Sequence, residues 1–135
     1  MAQPVFIDAS FWIAYRDSRE QLNRRAAELL HQLFRNRSLF ITTLPVFCEI
    51  HARFSRLPRH RNAVIADFWK NPAARVELPT PNDAQSANEL LEQHQDKNFS
   101  YCDALSFVVM RRLRLNRVAS FDKHFHQFGE FEVIC

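Results

Sequence analysis

Four acidic residues carry the chemistry this chain could perform: Asp8, Glu49, Asp103 and Asp122. Asp8 closes the apolar run Pro4-Val5-Phe6-Ile7, and Asp122 follows Val118 to Phe121, so both stand at the carboxyl ends of expected strands. In an open parallel sheet, ligands bind beyond that edge. Asp103 opens the helix that precedes the strand of Asp122. A helix of about 13 residues carries the chain about 20 Å away from the edge, and a strand of about five residues returns it by about 17 Å. The two carboxylates are therefore expected together. Glu49 lies roughly one turn into the helix after the second strand, about 7 Å from the edge. Its side chain leans toward the helix N-terminus and can reach back.

Such a cluster is costly without a cation. Two carboxylates 4 Å apart repel by about 4 kcal/mol at an effective dielectric near 20. Oxygen ligands in this number suit Mg²⁺ or Mn²⁺ better than zinc, and such an ion can activate water and stabilise charge on a phosphodiester. Each acid also has a structural alternative: Asp8 as a helix cap, Glu49 as a partner of Arg53, Asp103 as a first-turn acid and Asp122 as a turn residue. Singly, each alternative is the better reading. Convergence of all four reverses that preference. Ser10, Thr43 and Ser100 lie near the same edge at positions suited to capping, where Ser10 and Ser100 could also support the acids. Asp96, in the loop before Asp103, reads equally as a supporting acid or a solvated one.

The elements that must position these groups alternate between strand and helix. Strands are expected over Pro4 to Ile7, Leu39 to Thr42, Arg75 to Leu78, Val118 to Phe121 and Phe131 to Ile134. Helices are expected over Ser10 to Arg16, Glu20 to Arg35, Pro45 to about Arg56, Arg59 to Lys70, Asn82 to about His94 and Cys102 to Leu115, with a short helical stretch after Asp122. The Cys102 to Leu115 segment is apolar around much of its girth and should be central. Such alternation implies parallel pairing with helices on both faces. The expected fold class is α/β: a three-layer α/β/α sandwich with a mostly parallel sheet of four to five short strands. Without repeats or linker-like runs, residues 1–135 are expected to form a single domain.

Composition removes several function classes. Gly129 is the only glycine, so neither a P-loop nor a dinucleotide-binding turn can form. Cys48, Cys102 and Cys135 show no CxxC spacing, which disfavours a disulfide framework and a structural zinc site. No uninterrupted apolar run reaches transmembrane length, and the first residues lack the basic and apolar regions of a signal peptide. A cytoplasmic location is expected. The net charge of +3 is mild, but the bases are overwhelmingly Arg, whose guanidinium suits bidentate phosphate contact.

The segments Phe6-Ile7-Asp8-Ala9-Ser10, Asp96 to Phe107 and Ser120-Phe121-Asp122-Lys123-His124-Phe125, with Glu49 between them, resemble the PIN-domain ribonuclease family. Within it, they resemble the VapC-type toxins of toxin–antitoxin pairs. With length and element order, the resemblance spans nearly the whole chain. It implies a PIN-like fold, Mg²⁺- or Mn²⁺-dependent cleavage of RNA, frequent homodimers and a cognate antitoxin. Carried over by position, the acidic quartet is Asp8, Glu49, Asp103 and Asp122, with Ser10 as a supporting hydroxyl. Cys102 departs from the Thr often found before the third acid.

Rival readings are weaker. An aspartate-nucleophile phosphatase needs a second acid two residues after the first, where this chain has Ser10. A non-catalytic metal- or RNA-binding α/β module would use the acidic edge without hydrolysis. His124 and His126 lack further ligands at diagnostic spacing, so packing or surface placement is expected for both. Arg53, Arg56, Arg59 and Arg61 could steer RNA toward the site or form a solvated or partner-binding face. Arg111, Arg112, Arg114 and Arg117 read as structural charges at a helix C-terminus.

Overall fold

A computed structural model describes residues 3–135. Met1 and Ala2, which belong to the expected single domain and the N-terminal reading, lie outside the described residues. Among the described residues, five strands, β1 (Pro4–Ile7), β2 (Leu39–Thr43), β3 (Ala74–Glu77), β4 (Arg117–Ala119) and β5 (Glu132–Ile134), alternate with seven helices. These are α1 (Ala9–Arg16), α2 (Asn23–Arg35), α3 (Leu44–Arg53), α4 (Pro58–Trp69), α5 (Pro81–Gln93), α6 (Tyr101–Arg112) and α7 (Lys123–Phe128). All strands pair in parallel, in the order β3-β2-β1-β4-β5.

β1 is central because it can be: Val5, Phe6 and Ile7 are fully buried, as expected of a strand covered on both faces. From β1 the chain steps outward through β2 to β3, then returns to the other side of β1 for β4 and β5. Right-handed crossovers then place α1 to α4 on one face and α5 and α6 on the other. This is the expected three-layer sandwich. The same reversal makes the crevice between β1 and β4 the topological switch point, where ligands bind in such sheets.

Helix α6 is buried continuously from Asp103 to Met110. Phe107 stacks on Phe128 with centroids 4.2 Å apart and meets Phe125 edge-on at 5.1 Å, so the end of the chain packs against the central helix. Arg112, in the last turn of α6, pairs with Glu77 and with Asp83, which forms the capping box of α5 with Thr80. Arg111 pairs with Glu130. These pairs fit the structural reading for Arg111 and Arg112.

Boundaries differ from the sequence expectation where side chains intercept the backbone. Helix α2 begins at Asn23 rather than Glu20 because the Asn23 amide donates to the carbonyls of Ala14 and Tyr15 and pins a turn. Helix α6 stops at Arg112, shortly before Arg114, which adopts φ 56°. Strand β4 stops at Ala119, two residues short of the expected end. Ser120 accepts the Asp122 N–H there and turns the chain before Asp122. At the end of α7, Gly129 takes the left-handed C-cap conformation (φ 77°), which glycine adopts without Cβ strain.

Candidate metal centre

Asp8 follows β1 at the switch point, and its backbone N–H donates to Ala119 O of β4. Although Asp8 occupies the N-cap position of α1, its side chain caps nothing. Instead, Asp8 Oδ2 accepts hydroxyl protons from Ser10 at 2.7 Å and Ser120 at 2.8 Å. Those serines also accept the backbone N–H groups of Phe121 and Asp122, each at 3.0 Å. Two hydroxyls thus tie the end of β1 to the turn after β4. Burial pushes the Asp8 carboxyl above its ordinary value of 3.8; the two serine hydrogen bonds oppose this, and the charges of Asp103 and Asp122 add to it.

Asp103 sits in the first turn of α6 in a reciprocal capping box. Its Oδ2 accepts the Ser100 N–H, and Ser100 Oγ accepts the Asp103 N–H, both at 3.0 Å. Asp122 caps α7, its Oδ1 accepting the His124 N–H at 3.0 Å. The structural roles foreseen for these two acids therefore coexist with clustering. For Asp8, Asp103 and Asp122, only one carboxylate oxygen accepts a hydrogen bond from the described residues. The second oxygen of each accepts none, and the hydrogen-bonded oxygens of Asp103 and Asp122 each keep a further lone pair with which to ligate. The reason is local: a cap or serine clamp uses one lone-pair direction and orients the group.

Glu49 lies on the exposed side of α3. Its foreseen partner Arg53 pairs instead with Asp17 and Glu20. All four acids line one open cavity of about 330 Å³, together with Ser10, Ser100 and His124. Glu49 stands at the rim, and beside it burial, then the Glu49 charge, pushes the Cys102 thiol up. The four acids come from the junction of β1 and α1, from α3, from α6 and from the turn after β4. Thr43 is used elsewhere, as the buried N-cap of α3 accepting the Val46 N–H. Asp96 is exposed, pairs with Lys97 at 3.1 Å and does not line the cavity. It is the solvated acid of the two readings.

His124 stands nearer the acids than its sequence position announced. Surface placement holds for the exposed His126, and packing holds for His124, whose ring meets Phe99 edge-on, but His124 also faces the acids. Because α7 starts immediately after Asp122, the second residue of that helix folds back over the cluster. His124 Nδ1 lies 2.7 Å from Asp103 Oδ2 and 3.3 Å from Asp122 Oδ1. Neither approach is an aligned hydrogen bond, so Nδ1 is enclosed without a hydrogen-bond partner. One ligand atom from each of Asp103, Asp122 and His124 can be chosen so that all lie within 4.8 Å of one another. Free carboxylate oxygens and an enclosed, unpartnered imidazole nitrogen are a donor set that suits a divalent cation.

The basic residues stand apart. None of Arg53, Arg56, Arg59 and Arg61 lines the acidic cavity. Arg61 donates to Ser55 O, and Arg53 is engaged by Asp17 and Glu20. Any pull this run exerts on RNA phosphates is a long-range field. Among the described residues, no helix is long and apolar enough to cross a membrane.

Residues 5–130 match the PIN domain family. The chain is 30% identical over 130 residues to a Mycobacterium tuberculosis protein named 23S rRNA-specific endonuclease VapC20, covering 96% of this chain and 97% of that one. The crystal structure of M. tuberculosis VapC20, described as a Sarcin-Ricin loop cleaving toxin, superposes with a TM-score of 0.84 at 27% identity, over 97% of this chain and 99% of that one. A toxin–antitoxin complex from Klebsiella pneumoniae shares the fold with a TM-score of 0.71 at 13% identity, covering 97% and 96% of the two chains. With its acids gathered at the switch point of a five-stranded parallel sheet, the chain belongs to the PIN-domain family.

Proposed function

We propose that this chain is a divalent-cation-dependent endoribonuclease and the toxin of a toxin–antitoxin pair, with Asp8, Glu49, Asp103 and Asp122 as its acidic quartet. One observation carries the reading: four carboxylates from four separate chain segments line a single cavity beside the β1–β4 crevice of a PIN-domain sheet. Mg²⁺ or Mn²⁺, when bound there, supplies positive charge at the phosphodiester and lowers the pKa of water.

The remaining work falls to the chain's own residues. Ser10 and Ser120 hold Asp8 through one oxygen. The Ser100 capping box holds Asp103 at the amino end of α6, where the helix dipole favours negative charge. Glu49 is the solvent-facing carboxylate and the one an incoming RNA strand meets first. Hydrolysis adds water across the P–O3′ bond, so the products are a 5′-phosphate and a 3′-hydroxyl. The RNA to examine first is 23S rRNA, after the name of the M. tuberculosis relative.

A cognate antitoxin, a homodimer and a cytoplasmic location belong to the same proposal. Supporting a protein partner is an open, mainly apolar depression of about 360 Å³ between α3 and α4, lined by Phe47, Cys48, His51, Ile65 and the half-exposed Trp69.

The test is cleavage of ribosomes and of naked 23S rRNA by the purified chain with Mg²⁺ or Mn²⁺, mapped by primer extension. Discrete cuts that vanish with chelator and in Asp8→Asn, with an unchanged circular dichroism spectrum, are expected. A folded wild-type chain that binds RNA and cuts none would leave the binding-module alternative standing.

A further inference from the structure

We propose that His124 is a nitrogen ligand of the divalent cation, seated with Asp103 and Asp122, and that it biases this centre toward transition-metal ions such as Mn²⁺ over Mg²⁺. The inference rests on the metal-dependent reading of the acidic quartet and adds to it a residue of a different chemical class.

The geometry favours ligation over a simple histidine–carboxylate pair. In a hydrogen bond, the acceptor lies along the N–H direction. Two ligands at right angles on a six-coordinate ion with bonds of about 2.1 Å instead stand about 3 Å apart, each roughly 45° off the other's bonding axis. His124 Nδ1 shows this second pattern. It is 2.7 Å from Asp103 Oδ2 and 3.3 Å from Asp122 Oδ1, on either side of 3 Å, and it is aligned with neither.

The ring is also held in place. The backbone N–H of His124 is anchored on Asp122 Oδ1. The ring plane meets Phe99 at 85° with centroids 5.7 Å apart, and Phe99 is itself buried. A ring packed edge-on against Phe99 on an anchored backbone, with an enclosed nitrogen facing two carboxylates, loses little freedom on binding an ion.

Ligand chemistry sets the consequence. Mg²⁺ demands hard oxygen donors and near-ideal octahedral geometry. An imidazole nitrogen is a better match for first-row transition ions. Replacing one oxygen ligand by nitrogen should therefore widen the gap between the two metals.

The experiment uses the metal-stripped full chain titrated with Mn²⁺ and Mg²⁺ in a calorimeter, together with pulsed electron paramagnetic resonance of the Mn²⁺ form. Wild type is expected to bind Mn²⁺ at least about tenfold more tightly than Mg²⁺. It should also show a directly bound nitrogen that changes isotope signature with ¹⁵N-histidine. His124→Ala and His124→Gln should lose that signature and bring the two affinities together, while His126→Ala keeps both. The wild-type spectrum stands whether or not a variant folds. Mn²⁺ bound without nitrogen coupling overturns the role of His124 and spares the acidic site. Mn²⁺ that does not bind wild type, or binds equally to an Asp103→Asn/Asp122→Asn double variant, overturns the metal reading and this inference with it.

Discussion

Ser120 Oγ stands 2.8 Å from Asp8 Oδ2, joining residues 112 positions apart in the chain. The same hydroxyl oxygen accepts the Asp122 N–H. One buried serine therefore sets the spacing between the acid that follows β1 and the acid that follows β4.

Ser120→Ala should uncouple the two acids without unfolding the domain. Loss of an outer hydrogen-bond partner at a metal centre typically lowers affinity or activity about 10- to 100-fold. A fall of that size in Mn²⁺ affinity by calorimetry is expected, with a stability loss of about 1–3 kcal/mol from the unsatisfied Asp122 N–H. Unchanged Mn²⁺ affinity in a folded variant would contradict the role given to Ser120.

Asp8→Asn separates function from stability. RNA cleavage should fall at least about a hundredfold. Burial holds the Asp8 carboxyl above 3.8, so the folded state keeps this proton to higher pH than the unfolded chain. The associated stability is complete below the unfolded value and is lost as pH rises through the folded one. In metal-free protein, urea midpoints of wild type should decline relative to Asp8→Asn as pH rises from about 4 toward neutrality. Parallel profiles would show that Asp8 is not desolvated as described.

Metal binding should be visible in the melting temperature alone. An ion that binds only the folded state stabilises it by about 2.7 kcal/mol at a hundredfold excess over Kd. Saturating Mn²⁺ should therefore raise the Tm of wild type by several degrees. The Asp103→Asn/Asp122→Asn double variant should show no rise, although both carboxamides can still accept at the helix caps. An equal rise in both proteins would place the ion elsewhere.

Asp17 lies outside the acidic cavity and serves as the contrasting case. Arg19 donates to it from the guanidinium and the backbone, Arg53 adds its charge, and the carboxyl is held down to about 2. This stability is present above the ordinary value of 3.8 and disappears as pH falls through about 2. Asp17→Asn should cost about 1 kcal/mol at neutral pH, shrink toward nothing in strong acid, and leave RNA cleavage unchanged. Chemical denaturation at two pH values checks it.

The convergence of Asp8, Asp103 and Asp122 was legible because element lengths are physical lengths. A continuous apolar strand must be buried, and a helix followed by a parallel strand must bring the chain back to its starting edge. The capping box at Ser100 was legible in part, since a serine before a first-turn acid marks a helix start, whereas α5 is capped by Thr80 rather than by Asn82 or Asp83. Asp96 was not resolved by its position, because a polar loop beside a site and a polar loop in solvent have the same composition. Only its exposure and its pairing with Lys97 decide between them.

By itself, then, the sequence determined the layers, the parallel pairing, the exclusion of glycine-rich phosphate loops and the edge at which the four acids meet. These follow from periodicity and chain geometry, which act over a few residues at a time. Only the tertiary structure decided that β4 ends at Ala119, that Ser120 bridges to Asp8, and that His124 turns inward while His126 faces out. Those outcomes depend on the direction of a six-residue helix packed on Phe107 and Phe99. Two histidines flanking one phenylalanine carry no sign of which will meet the carboxylates until that packing is formed.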